Sequence, residues 1–235
     1  EQKLSKAIGL RDAALWKTLS TQLPLYLDND GLAMYFPARA GEDARGSDVL
    51  TSYLLAASQE VGYEIPEESL NRMQTALAGF VEGRIKREFW SPAKDLDARK
   101  LAAIEALSRR GKAQAKMLDS LRINPNIWPT HAVIDWLGIL HRLPEIPDKQ
   151  KKVEEANQVL RSRLNMQGTR LGFSTETNDY WWWMMVSGDV NAAKLILAVL
   201  NDPAWKEDMG RLVNGTLQRQ IKGAWLTTTA NVWGS

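Results

Sequence analysis

The sequence has no cysteine and only two histidines, His131 and His141, in 235 residues. The first absence removes disulfides, thiolate metal sites and a cysteine nucleophile from this segment. The second leaves too few imidazoles for a histidine-based zinc site. No apolar run reaches the roughly 18 residues that a membrane span needs. No secretory leader is visible, and the first residue is Glu1 rather than Met. A dominant charge sign is also missing: 30 basic and 28 acidic residues are mixed along the chain and leave a net +2. Such mixing describes a solvated surface without a strong pull on nucleic acid or anionic membrane. The 44% hydrophobic content is enough for one sizeable core or two small ones.

What is present is one kind of helix start, repeated. The openings run from Gly46 to Tyr53, Lys94 to Lys100, Pro129 to Trp136, Asp189 to Leu195 and Leu226 to Trp233. Each begins with polar capping residues and passes into an apolar, Ala/Leu-rich face. Amphipathic partner helices lie between them. Helix pairs that recur in this way bury their apolar faces on their neighbours, as repeat architectures do. The fifth opening has barely begun when the sequence stops at Ser235, which predicts a piece of a longer chain with its last helix cut short. Apolar surface left bare by that missing helix predicts marginal stability.

The spacing of Leu4, Ile8, Leu15, Leu19 and Leu23 predicts one helix over residues 2–22, ended by Pro24. Apolar triplets then flank Asp28-Asn29-Asp30-Gly31, the chemistry of a hairpin turn. Further helices are predicted over about 47–61, from Pro66 to about Lys86, from Ser91-Pro92 to Gly111, and over about 113–121, 129–142, 147–164, 179–200 and 203–221. Gly188 can divide the helix over 179–200. Gly168 and Gly172, with alternating Leu171, Phe173 and Thr175, mark a second short hairpin or extended stretch.

The fold class is therefore all-α, with short β-hairpin or extended insertions. Short loops make successive helices antiparallel. Ala56, Ala57, Ala102, Ala103, Ala192 and Ala193 fall on the supposed inner helices and suit packing around a narrow axis. The irregular spacing of the openings argues against a regular solenoid. The expected architecture is an α/α toroid of antiparallel helix pairs, a single domain over residues 1–235 truncated at its C-terminal helix.

At this point a family resemblance emerges. Glu1-Gln2, followed by an amphipathic helix, resembles the end of the Cys-x-Glu-Gln thioester motif of complement and α2-macroglobulin proteins. The segment from Gly46 to Leu55 resembles the first inner helix of their thioester domain. Trp225-Leu226-Thr227-Thr228-Thr229-Ala230-Asn231-Val232-Trp233-Gly234 resembles a late inner helix of bacterial α2-macroglobulins, and is the most specific of these matches. The order and approximate distances agree over essentially the whole chain. The resemblance implies the α/α toroid of the complement-like thioester domain. It also implies a role in a bacterial periplasmic protease trap rather than in an enzyme. Endopeptidases and the parent's other domains would be the partners, with no cofactor, metal or nucleic acid. Any membrane anchoring would come from the parent's other regions.

In such a trap a cysteine sulfur and a glutamine side-chain carbonyl form an internal thioester with loss of ammonia. Gln2 would be the acyl donor and Glu1 its motif neighbour, with the cysteine two residues before Glu1 and so ahead of this sequence. The bond survives only where water and stray amines are excluded. Relatives without the cysteine act only by non-covalent trapping or as partners of another protein. Some family members carry a histidine just before the second inner helix, which assists transfer to hydroxyls. Here that region reads Lys86-Arg87-Glu88-Phe89-Trp90-Ser91-Pro92, which implies direct attack by amines.

Other residues invite chemical readings that plainer ones outweigh. His131 sits at a helix start and reads as a capping or surface residue before a catalytic base. His141 suits the dipole at a helix end. Trp181-Trp182-Trp183 would point about 100° apart on a helix, so they form no flat sugar platform and read as core or interface packing. Asp28, Asp30, Glu42 and Asp43 lack the ordered spacing of a calcium loop and read as turn chemistry. Arg84, Lys86 and Arg87 read as a solvated helix end before a phosphate site. Two other classes of function stay open: an α/α-toroid enzyme acting on polysaccharide through paired carboxylates, and a helical scaffold that only docks partners.

Overall fold

The computed structural model describes residues 1–39, 41–89, 91, 94–173 and 181–235. The described chain is all-α with one short hairpin, as the sequence predicts, and it divides into two compact units, 1–123 and 124–235.

In the first unit the helix expected over 2–22 is two helices, α1 (Gln2–Gly9) and α2 (Ala13–Ser20). Arg11 adopts a left-handed φ of 53°. That bend lets the Arg11 and Asp12 amides bond the Ile8 and Ala7 carbonyls, which ends α1. Asp12 then caps α2 by accepting from the Leu15 amide at 2.9 Å. Pro24 sits inside a 3-10 turn, Leu23–Tyr26, rather than merely stopping a helix. Around the Asp-Asn-Asp-Gly turn the expected hairpin reduces to a single bridge, Leu27 to Ala33.

Helix α3 (Asp48–Glu60) is capped by Ser47 and buried on every side from Asp48 to Ser58. It packs on α4 (Glu67–Val81) and α5 (Leu96–Ser108), which also pack on each other. Of the expected inner alanines in this unit, Ala56, Ala57 and Ala103 are buried and Ala102 is half-buried. Helix α5 begins later than Ser91-Pro92, at Leu96; Pro92 lies outside the described residues. The stretch expected as a helix near 113–121 is a 3-10 turn, Ala115–Ser120.

This core contains charge. Arg99 of α5 donates Nε to Asp48 Oδ2 at 2.9 Å and Nη2 to Asp48 Oδ1 at 2.6 Å. The Arg99 side chain is 5% exposed and that of Asp48 is 0% exposed. Burial pushes the Asp48 carboxyl up, and the two Arg99 bonds work against that shift. The Arg99 guanidinium also lies over the rings of Phe80 and Phe89, at 5.2 and 4.2 Å.

In the second unit, α6 (Thr130–Arg142) is buried from Thr130 through Leu140. It packs on α7 (Lys149–Ser162) and α8 (Gly188–Val199). Strands β1 (Leu164–Gln167) and β2 (Arg170–Phe173) pair antiparallel, Leu164 opposite Phe173, around Gly168 at a positive φ. Thr175, expected in this hairpin, lies outside the described residues. Gly188 opens α8 rather than dividing a longer helix, and Trp182 and Trp183 precede it in a separate 3-10 turn, Trp182–Met184. The helix expected over 203–221 is a 3-10 turn, Pro203–Trp205, followed by α9 (Met209–Leu217). Helix α9 lies so close to β2 that a Cβ on Gly215 would stand 2.3 Å from the Leu171 carbonyl oxygen. Helix α10 (Thr228–Gly234), capped by Thr227, packs on α8.

His131 corrects its sequence reading. It is neither a cap nor a surface residue: it lies inside α6, 1% exposed, and neither ring nitrogen has a hydrogen-bond partner among the described residues. Its ring packs on Trp181 at 5.0 Å. Burial first, then the nearby charges of Lys194 and Arg163, hold its pKa down to about 3.

Two predictions follow from these buried groups. Arg99→Ala leaves the Asp48 carboxylate buried without its partner and should cost about 3–5 kcal/mol. Urea unfolding measures it, and a loss below about 1 kcal/mol, the scale of a surface pair, would contradict the role given to the pair. For His131 the unfolded ring takes a proton below about pH 6.5, whereas the folded ring stays neutral down to about 3. Stability should therefore fall as pH drops through that window, with a slope from this group of up to about 1.4 kcal/mol per pH unit. His131→Leu, similar in volume and without the proton site, should flatten the stability profile between pH 6 and 4 by that amount. Parallel wild-type and mutant profiles would refute the assignment.

Candidate functional site

The head of α1 forms one wall of an apolar cavity of about 420 Å³ within the first unit. Glu1, Gln2 and Lys3 line it from the helix end, and Leu19, Leu23 and Tyr26 from α2 and the turn after it. Met34, Tyr35, Phe36 and Pro37 form the facing wall, and Leu50 and Leu54 of α3 complete the lining. Gln2 is exposed, and its side chain makes no hydrogen bond among the described residues. The amide group is thus not engaged in holding the fold.

Its neighbour is fixed. Ser5 Oγ donates to Glu1 Oε1 at 2.8 Å and lies 2.8 Å from the Tyr53 hydroxyl. Because Ser5 gives its one proton to the carboxylate, Tyr53 donates to Ser5. Burial, with the Glu1 charge adding to it, pushes the Tyr53 phenol well up, so this donor stays protonated. Ser5 and Tyr53 are themselves buried, so the first turn of α1 is anchored from below. Tyr35 is bonded to Ser47, and burial followed by the Glu1 charge pushes its pKa up to about 12.

The facing wall is held by Asp28. Its Oδ1 accepts the Gly31 and Leu32 amides, each at 2.8 Å, and its Oδ2 accepts the Gly46 amide at 2.7 Å. Burial opposes ionisation here, but these amides and Arg87 outweigh it and hold the carboxyl below its ordinary value. Gly31 takes a φ of 99°, and a Cβ there would meet the Arg72 carbonyl at 2.7 Å, so only glycine fits this turn.

The structure separates the acids that the sequence grouped. Asp28 and Asp30 converge on Arg87, whereas Glu42 accepts from the Arg39 amide and Asp43 pairs with Arg45 at the surface. No metal-binding set occurs among the described residues. The solvated reading fits Arg84, which pairs with Glu82 in the open, and Lys86, which is exposed. It fails for Arg87, whose side chain is 8% exposed. Nothing local in the sequence reveals this, since its carboxylate partners, Asp28 and Asp30, lie 59 and 57 residues away.

His141 stands near the end of α6, with Nδ1 3.2 Å from the Ala198 carbonyl, and burial lowers its pKa more than Asp202 raises it. The tryptophans depart from the helical picture. Trp181 stands outside the 3-10 turn, which lets its ring stack on Trp183 at 5.0 Å and 29°, with Trp182 edge-on to Trp183 and half exposed. Asp135 is bonded to Lys194, and Asp189 to Arg219 at 2.6 Å.

No family model matches the chain, and no curated protein matches its sequence. Its fold does match solved structures. Native Escherichia coli α2-macroglobulin, seen by cryo-electron microscopy, aligns over 97% of this chain and 14% of its own, with a TM-score of 0.64 and 16% identity. A crystal structure of the native E. coli protein from domain MG7 to the C-terminus aligns over 96% of this chain and 34% of its own, with a TM-score of 0.66 and 14% identity. The E. coli protein activated by porcine elastase gives a TM-score of 0.64 at 14% identity, over 96% of this chain and 19% of its own. The chain thus spans between about a seventh and a third of the structures it matches, and it has the fold of one region of bacterial α2-macroglobulins.

Proposed function

We propose that this chain is the thioester domain of a bacterial α2-macroglobulin-like endopeptidase inhibitor, and that Gln2 supplies the acyl group of the thioester. One observation carries the reading: a glutamine with an unengaged amide lines an apolar cavity at the head of an anchored helix. An acyl thioester needs such a place. Its carbonyl carbon is open to amines and water, and the bond persists only where both are kept out. Once exposed, a lysine amine on the captured protease attacks the Gln2 carbonyl carbon. The new C–N bond forms, the C–S bond breaks, and the cysteine leaves as thiolate while the amine gives up its proton. The cysteine belongs to the sequence ahead of Glu1. With no histidine at 86–92, direct aminolysis is the favoured route.

The fold shared with E. coli α2-macroglobulin supports this reading, as do the protease-activated forms of that protein. The likeness extends over 97% of this chain, which supports reading both compact units as parts of one domain. Target endopeptidases and the parent's other domains are the proposed partners, the periplasm the proposed location, and covalent capture rather than turnover the proposed activity. The carbohydrate-enzyme reading has no comparable support, because Asp28, Asp48, Glu105, Asp135 and Asp189 are each held by a basic partner.

Methylamine treatment of the full-length parent tests this. It should release thiol stoichiometrically and leave one methylamine on Gln2, and Gln2→Ala should abolish both. Neither thiol nor adduct in the wild-type parent would exclude a covalent trap and leave a non-covalent docking domain.

A further inference from the structure

The cavity wall facing Gln2 is fastened by a residue distant from it in sequence. The wall, Met34 to Pro37, leaves the body of the unit just after Ala33, and the chain returns at Gly46. Arg87 grips both ends of this excursion. Its Nη2 donates to Asp28 Oδ2 at 2.6 Å and to Asp30 Oδ2 at 2.7 Å, on the outgoing side. Its Nε donates to the Gly46 carbonyl at 3.0 Å, on the returning side. Its own backbone is held in turn: the Arg87 carbonyl accepts from Arg99 Nη2 at 2.9 Å, and Arg99 is fixed by Asp48. Ser47, next to Gly46, bonds the Ala33 carbonyl and the Tyr35 side chain. A shift at Gly46 is therefore passed to the wall.

We propose that Arg87 is a positioning residue for the aminolysis assigned to Gln2. By tying Asp28 to Gly46 it fixes the Met34–Pro37 wall and so sets which amines reach the Gln2 acyl carbon. This rests on the thioester reading above. Arginine suits the task because its rigid fork bonds a carboxylate and a carbonyl at once, which a lysine ammonium does not reproduce in the same geometry. Removing it need not unfold the turn, because Asp28 keeps the amides of Gly31, Leu32 and Gly46.

The test compares the full-length parent with Arg87→Gln and Arg87→Lys, and with Arg84→Gln as a surface control. Thiol release is timed with methylamine and with the bulkier cyclohexylamine. Wild type should react far faster with the small amine. Arg87→Gln should speed methylamine about tenfold, the scale of one charge-assisted hydrogen bond, and cyclohexylamine by more, so the ratio of the two rates falls. Arg87→Lys should fall between, and Arg84→Gln should match wild type. A merely structural role would lower the melting temperature without changing the ratio. An unchanged ratio in Arg87→Gln overturns the proposal, whatever the absolute rates do. Should that variant fail to fold, Asp30→Ala removes one half-exposed partner of Arg87 and should shift the ratio the same way by less; no shift there overturns it equally. A wild-type parent that releases no thiol is a separate result, since it removes the Gln2 reading itself and this proposal with it.

Discussion

The first unit depends on the buried pair of Asp48 and Arg99. Each charge alone would cost several kcal/mol to bury, so neither residue is tolerable without the other. The geometry answers that cost with two short bonds in a fork, a further bond to the Arg87 carbonyl, and two aromatic rings against the guanidinium. Asp48 lies in the first turn of α3, where a negative charge also suits the helix dipole. One interaction thus joins α3 to α5 and fixes the segment before α5. That segment carries Arg87, and Arg87 carries the wall opposite Gln2. A hydrophobic pair of the same volume could match the stability, but it would give no directional handle on residue 87.

The same economy explains the neighbourhood of Gln2. Helix α1 is only two turns long, and a helix of that length does not hold itself in water. Leu4, Ala7 and Ile8 bury its lower face, and the chain of hydroxyls from Tyr53 through Ser5 to Glu1 fixes its first turn. The thioester proposed at Gln2 would need such rigidity, since its lifetime would depend on keeping water and stray amines away.

Much of the fold was legible in the sequence because it rests on local signals. Ser47 and Thr227 cap helices where capping chemistry predicts, and Ala56, Ala57 and Ala193 are buried on helices predicted to be inner. The misses share a cause. The break at Arg11 depends on a residue without a turn signature adopting a left-handed φ. Arg87 reads as solvent-facing until tertiary structure brings Asp28 to it. His131 looks like a helix-start residue because Pro129-Thr130 precedes it, and only the packing of Trp181 and α8 around α6 buries it. Gln2 is proposed through resemblance alone, and the cavity that it lines was not legible, because residues 34–37 carry no periodic signal.

Fold signal and functional signal also occupy different residues. In the Trp225–Gly234 segment, each distinctive residue has a mechanical reason. Asn231 accepts the Trp225 amide at 3.1 Å and donates to the carbonyls of Trp225 and Thr227 at 2.8 Å. Trp225 Nε1 donates to the Thr216 carbonyl at 3.1 Å. Gly234 is small because a Cβ there would stand 2.3 Å from the Trp225 ring. A chain needing only this packing would keep the whole segment, whether or not it ever formed a thioester. Gln2 is the reverse case: it is exposed, and its side chain makes no hydrogen bond among the described residues. If the proposed thioester forms, its chemistry rests on a residue apart from those that carry the architecture.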